Sequence, residues 1–314
     1  MLTTQSQLPP LVQQSVDDVM LSIRTPDLIM NVAAWRKVLP AKGGTTLRMY
    51  RYDRLPTAPV PLTGATIPAI SPNRVDIDAT VSIYGQYMAL NQTITLQNQD
   101  PVLMNMAELL GLAMRMTEDQ LTRDMLAATA SVYYCAGGNN GDDPSNLSLS
   151  DIINVTTQLQ SNDAWMILRN QHGEDRFGTG PLRDAYIGLA HTDIGGQLET
   201  INGFLPKWNY PNPDSRTLPS EWGAINNVRF LTSSVGSISP AASGLGNNVY
   251  NIFIQGMEAL GIVEQDNFSA RILYRGPEYS DPLFQNWTLG WTMSQVPRIL
   301  NDLWIINTRC TLAT

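Results

Sequence analysis

Catalysis and metal binding need groups that exchange protons, attack carbon or converge on a cation, and this sequence holds few of them in useful company. There are two histidines, His172 and His191. His172 stands in the run QHGEDR with Glu174 and Asp175, and His191 has Asp193 two residues on. A metal site asks for three or four converging ligands, and neither run has HExxH or an equivalent spacing. A turn histidine and a strand-end histidine are the plainer readings. The two cysteines, Cys135 and Cys310, lie far apart without a CxxC partner. That argues against a disulfide framework or a zinc site and fits a reducing cytoplasm. No GxSxG elbow, P-loop, GxGxxG or Cys–His signature occurs. The run GNNGDDPSN has a calcium loop's composition but lacks its alternating acids and closing glutamate, so it reads as an ordinary loop. No catalytic, metal-binding or cofactor-binding residue is assigned, and no cofactor is expected.

The chemistry that remains is that of contact surfaces. Asp76 and Asp78 resemble a carboxylate pair, but in a strand they point the same way, about 7 Å apart. They face a run carrying Arg48, Arg51 and Arg54 with Tyr50 and Tyr52. Ion pairing, within one ribbon or with a neighbouring chain, is the economical use of them. Arg48, Arg51, Arg54, Asp76, Asp78, Tyr50 and Tyr52 are therefore the candidate intersubunit contacts.

The elements that must position these residues form a long hairpin. Outward, TTLRMYRYDRL alternates, with Arg48, Tyr50, Tyr52 and Arg54 on one side and Leu47, Met49 and Leu55 on the other. On the return, Val75, Ile77, Ala79, Val81 and Ile83 face one way, and Asp76, Asp78, Thr80 and Ser82 the other. The tip, 56–72, carries five prolines. An isolated two-stranded hairpin is marginal and open-edged, so cover from another subunit is the expectation, with packing on its own domain as the alternative.

Before the hairpin, residues 1–44 read as an arm, with one helical spacing from Leu11 to Ile23 and a second short helix over Leu28–Leu39. After it, Asp100-Pro101 opens a long helix expected over 101–133, about 50 Å long, ended by Gly137-Gly138. Its apolar stripe holds Met106, Leu110 and Leu121; its charged face (Glu108, Arg115, Glu118, Asp119, Arg123, Asp124) reads as surface or interface. Ser150 is read as capping a helix through Leu159, Asp184–His191 as a buried strand, and His191-Thr192-Asp193 as leading into a helix. Strands follow at 225–233 and 248–255, a short helix at Gly256–Leu260, then β-rich runs at 268–275, 287–296 and 302–312. The fold class is α+β with interwoven parts.

Bulk properties narrow the classes further. The chain has 314 residues, is 15% charged and carries a net charge of −8, with three lysines among its twenty cationic residues. A low charged fraction leans toward an assembly subunit. An arginine excess suits planar interface contacts, or reflects codon bias. The acidic balance makes tight nucleic-acid binding a poor candidate. The N-terminus lacks the pattern of a signal peptide, and no run reaches eighteen apolar residues, so no membrane partner is expected.

Several local runs carry a resemblance. They are Arg51-Tyr52, then Val81-x-x-Tyr84-Gly85-Gln86-Tyr87, Tyr186 to His191, Glu221-Trp222-Gly223-Ala224-Ile225 before Val228-Arg229-Phe230, and Val249-Tyr250 before Gly256 to Gly261. Asp281 to Gln285, Gly290-Trp291 and Ile299-Leu300-Asn301 follow. In order and spacing, from residue 45 onward, the chain resembles the HK97-type major capsid proteins of tailed bacteriophages, and within them the N4-like subfamily. The resemblance implies an N-terminal arm (1–44) and an extended hairpin loop (45–97) lying over a neighbouring subunit. It also implies a peripheral domain (98–150 and 265–314) with a spine helix, and an axial domain (151–264). It implies hexamers and pentamers of an icosahedral shell in the virion, assembled in the host bacterial cytoplasm around double-stranded DNA contacted non-specifically. A separate scaffolding protein, a portal and a decoration protein are its implied partners. Some members cross-link a lysine to an asparagine; the hairpin here has no lysine. A cellular nanocompartment shell of encapsulin type is the alternative, and an unrecognised soluble enzyme the remote one.

Overall fold

The computed structural model describes residues 2–3, 27–40, 43–55, 70–91, 102–128, 131–135, 144–167, 185–210, 218, 220–243, 246–266, 270–276 and 285–312. Two sheets organise them. The first runs β1 (Leu2–Thr3), β5 (Ser82–Asn91), β15 (Asn286–Ile299), β13 (Leu260–Gln265), β2 (Trp35–Leu39), with β14 (Ala270–Arg275) also on β15. β15 is the spine of this sheet. It pairs antiparallel with β5 along its first ten residues, with β14 over Thr288–Met293 and with β13 over Gln295–Ile299. The 26-residue helix α1 (Val102–Ala127) packs Met106 and Leu110 on Leu90, Leu289, Trp291 and Met293 of this sheet.

The second sheet is ordered β6 (Val132–Tyr134), β16 (Ile305–Cys310), β12 (Val249–Gln255), β7 (Tyr186–His191), β10 (Val228–Ser233), β9 (Glu221–Ile225), β8 (Leu205–Pro206), with β11 (Ile238–Ser239) on β12. β7 reads YIGLAH as a nearly continuous apolar run because both of its faces are covered. One face packs Tyr186, Phe230, Ile252 and Ile306 under helix α2 (Leu149–Ser161). The other packs Ile187, Leu189, Leu231, Phe253 and Ile305 against Ile29, Met30 and Leu126 at the end of α1. After β7 a 3₁₀ turn leads into the short helix α3 (Gly195–Thr200).

Where α1 meets the turn at residues 30–33, the chain is pinned by side chains. The Met30 amide donates to Asp119 Oδ1 at 2.8 Å, Asn31 Nδ2 donates to Glu118 at 3.0 Å, and Thr122 Oγ1 donates to Asn31 Oδ1 at 2.6 Å. Asp119, which the sequence placed on an outward charged face, is 1% exposed. Its second oxygen has no partner among the described residues.

The structure corrects several expectations. Leu28–Ala34 is turn and Trp35–Leu39 is a strand parallel to β13, not a helix. The pairing partner lies more than two hundred residues away, beyond any local periodicity. The helix Leu11–Ile23 falls outside the described residues. α1 ends at Ala127, about 39 Å long, because Val132–Tyr134 leaves it to pair parallel with β16. Ser148, not Ser150, caps α2, in a capping box with Asp151. Gly256–Ala259 is not a helix but a turn leading into β13, with Glu258 at φ 58°. Residues 132–134 and 305–310, expected in one part with α1, pair into the sheet of β7.

Candidate functional site

The hairpin is present as β3 (Thr46–Tyr52) and β4 (Arg74–Thr80), paired antiparallel from Thr46↔Thr80 to Tyr52↔Arg74. Burial alternates strictly along both strands, so the ribbon has two unlike faces. The inner face sits on its own chain: Leu47, Met49 and Val81 pack with Ala79 against Leu39, Val263 and Val296. The base of the ribbon therefore does not lack cover of its own, contrary to expectation. The proline-rich tip from 56 to 69 lies outside the described residues.

The outer face carries five of the seven predicted contact residues. Arg48 grips Asp78 with two bonds, Nε–Oδ1 at 2.7 Å and Nη2–Oδ2 at 2.8 Å. Arg74 pairs with Asp76 at 2.8 Å and lies 5.5 Å from the Tyr50 ring centroid. Tyr50 and Tyr52, 61% and 59% exposed, meet edge to face at 5.7 Å. The hydrogen bond from Arg48 holds the Asp78 carboxyl below its usual range, and the same bond raises the Arg48 pKa. A bidentate pair adds geometric specificity, so the outer face presents aromatic rings beside paired ionic groups.

The other two residues turn to their own subunit. Arg51, on the Leu47 and Met49 side, donates to the Leu300 carbonyl at 3.3 Å and to Asn301 Oδ1. Arg54 reaches Asp163 Oδ2 at 2.6 Å. Asp163, Leu300 and Asn301 are hairpin partners that sequence reasoning missed, since nothing local marks a residue that contacts Arg51 from 250 positions away. Between ribbon and body lies a groove of about 580 Å³, lined by Trp35, Lys37, Tyr50 and Trp304 among others.

A second exposed surface lies on the first sheet. Every residue of β14 is exposed, and no described strand pairs its outer edge. On the sheet face away from α1, Tyr87 is 71% and Ile83 65% exposed. The register sets Tyr87 opposite Gly290, and Gly290 opposite Leu273, so Tyr87 and Leu273 flank a glycine on this face, with Arg271 and Arg275 beside Leu273.

His191 has a structural occupation. Its Nδ1 accepts the Asp193 amide at 3.2 Å, capping the turn after β7, while Tyr250 donates to Asp193 Oδ2 at 3.0 Å. His172, Glu174 and Asp175 lie outside the described residues. Among the described residues no group of three or more His, Cys, Asp or Glu side chains could hold a metal. Glu221 and Arg229, both almost fully buried, form a paired bridge that also takes the Tyr210 hydroxyl at 3.0 Å and the Leu218 amide at 2.9 Å. That network ties down the end of the loop before β9.

No family model matches the chain, and no curated protein matches its sequence significantly. Solved structures do match its fold. The capsid of Ralstonia phage GP4 superposes with a TM-score of 0.70 at 12% identity, covering 99% of this chain and 98% of that one. The capsid of the cyanophage P-SCSP1u gives 0.64 at 10% identity over 96% and 94%. The SrpI encapsulin of Synechococcus elongatus PCC 7942 gives 0.57 at 8% identity over 89% and 85%. The mixed, strand-rich fold of this chain is the one these shell proteins use.

Proposed function

We propose that this chain is the major capsid protein of a tailed bacteriophage, with the HK97-type fold, building hexamers and pentamers of an icosahedral head around double-stranded DNA. The observation that carries this reading is the end-to-end match to a phage capsid subunit, 99% of one chain on 98% of the other. In it, the sheet of β15 with α1 is the peripheral domain and α1 its spine helix. The sheet of β7, including β6 and β16, is the axial domain. The hairpin is the extended loop, and its outer platform of Arg48, Tyr50, Tyr52, Asp76 and Asp78 is the surface offered to a neighbouring copy. The assignment to the N4-like subfamily rests on the sequence runs alone.

Assembly would be heterologous and ring-closing, each copy presenting a different surface to its neighbour. Stable shells need interfaces of the order of thousands of Å², and the outer hairpin face, the open edge of β14 and the Ile83–Tyr87 face are exposed surfaces available to contribute. A net charge of −8 suits a container wall that must not hold packaged DNA tightly. A scaffolding protein, a portal and a decoration protein complete the expected partners, with the virion as destination. No enzymatic step is assigned.

Replacing the tip 56–72 by Asn-Gly tests the reading. The base of the hairpin has its own seat, so the variant folds and stays soluble. Expressed with its scaffolding protein, it forms no shells in negative-stain micrographs where the parent chain does. Shells of normal size from the variant would refute the hairpin's role.

A cellular nanocompartment shell is the second reading, favoured by the match to the SrpI encapsulin. The contents of purified particles decide between them: nucleic acid for the head, a protein cargo for the compartment.

A further inference from the structure

Far apart in sequence, the two cysteines end up side by side. β6 and β16 pair in parallel, with Val132↔Asn307, Tyr133↔Thr308 and Tyr134↔Arg309. One step further the register brings Cys135 beside Cys310. The ladder continues to that point, since the Cys135 amide donates to the Arg309 carbonyl at 3.0 Å. Residues opposite one another on paired strands share a face, and both thiols lie in the core under α2, at 2% and 0% exposure. The Cys310 thiol donates to the Tyr250 carbonyl at 3.8 Å. Both are free thiols.

We propose that Cys135 and Cys310 are a convertible dithiol, a modification site that an oxidant closes to an intrachain disulfide joining the end of β6 to the C-terminal strand. Neighbouring strands run about 4.8 Å apart, inside the range of Cα separations that disulfides bridge. The register sets the two residues opposite one another in the same core, so closure asks for side-chain rotation and no change of strand pairing. The neighbouring Cys310 thiol and burial push the Cys135 thiol up, so Cys135 holds little thiolate in the closed fold. Reaction therefore proceeds through brief opening of β6 and is slow. With a small-molecule disulfide as oxidant, one thiolate attacks it, forming a mixed disulfide and releasing one small thiol. The second cysteine then attacks the protein sulfur of that bond and releases the other. The reagent's S–S bond breaks, the protein's forms, two electrons pass to the reagent, and both protons leave on the released thiols. The closed form links residues 135 and 310 in the unfolded chain and restricts it. This inference does not depend on the shell reading.

The test uses the full chain, incubated for hours with oxidised glutathione or diamide, then denatured and alkylated. Expected are an intact mass about 2 Da below the reduced chain, no alkylation, and a peptide linking residues 135 and 310. The thermal midpoint rises by roughly 5–10 °C and falls back with dithiothreitol. Cys135→Ser and Cys310→Ser, which keep the volume, each show no rise. Full alkylation of both thiols after oxidation, a retained glutathione adduct without the linked peptide, or an interchain dimer would each overturn the proposal. A midpoint rise in either serine variant would do so as well.

Discussion

Outside the hairpin, Asp119 is a carboxyl buried where α1 contacts the turn at residues 30–33. Burial pushes its carboxyl up to about 6 from 3.8, against the Met30 and Ile29 amides, which pull it down, while the neighbouring Glu118 adds to the rise and Arg123 opposes it. Between about pH 4 and pH 6 the folded chain thus holds a proton that the unfolded chain has released. Stability falls as pH rises through that window, by about 3 kcal/mol at most, and is level above it on this account. Asp119→Asn keeps an acceptor for the Met30 amide and never ionises. Its urea midpoint at pH 7.5 is expected to equal or exceed the parent's, with the parent gaining relative to it as the pH drops to 4.5. An unchanged slope between pH 4 and 7 in the variant would place that ionisation elsewhere. Nothing in the local sequence separates Asp119 from Glu118 or Asp124. The turn at 29–31 that buries it comes from ninety residues upstream.

At the scale of elements, legibility followed the range of the interactions that make each one. The hairpin was readable because period-two alternation is local, and β3 and β4 lie where the alternation runs. Trp35–Leu39 and Val132–Tyr134 were not readable. Their spacing also fits a helix, and each becomes a strand because a distant edge, β13 or β16, supplies its hydrogen bonds. Gly223 shows how tightly such distant pairings close. A Cβ there would stand 2.5 Å from the Phe204 ring and 2.6 Å from the Leu205 carbonyl, in the pairing of β9 with β8. The Leu205 oxygen is backbone, so relief needs a shift of β8 itself. Gly223→Ala is expected to cost about 1–3 kcal/mol, seen as a lowered thermal midpoint. An unaffected midpoint would mean that β8 yields freely.

For the whole molecule, the interlacing of its two sheets decides what can move and what can bind. Because β15, β13 and β16 arrive late in the chain and pair with elements from its first half, contacts are largely long-range. Among the described residues, some surfaces stay open because no other element packs on them. Ile83 and Tyr87 define one such face. Tyr87→Lys and Ile83→Lys, at positions more than half exposed, are expected to leave the isolated subunit's stability within ~0.5 kcal/mol. Both are expected to abolish or misdirect assembly as judged by sedimentation and microscopy. If both variants build particles like the parent's, that face is not an interface and the outer hairpin carries the contact.

The sequence by itself determined the amphipathic ribbon, the long helix, the buried strand at Tyr186–His191, the lack of any recognisable catalytic motif and the family likeness. All of these are written in local periodicity, residue type or ordered runs. Only the tertiary structure decided that Arg51 and Arg54 turn to their own subunit and that Asp119 is buried. It also decided that residues 35–39 are a strand and that Cys135 meets Cys310. The physical reason is the same in each case. A side chain's neighbours across a sheet or at a helix end come from positions tens to hundreds of residues away, and no local pattern records which distant strand will close the hydrogen-bond ladder.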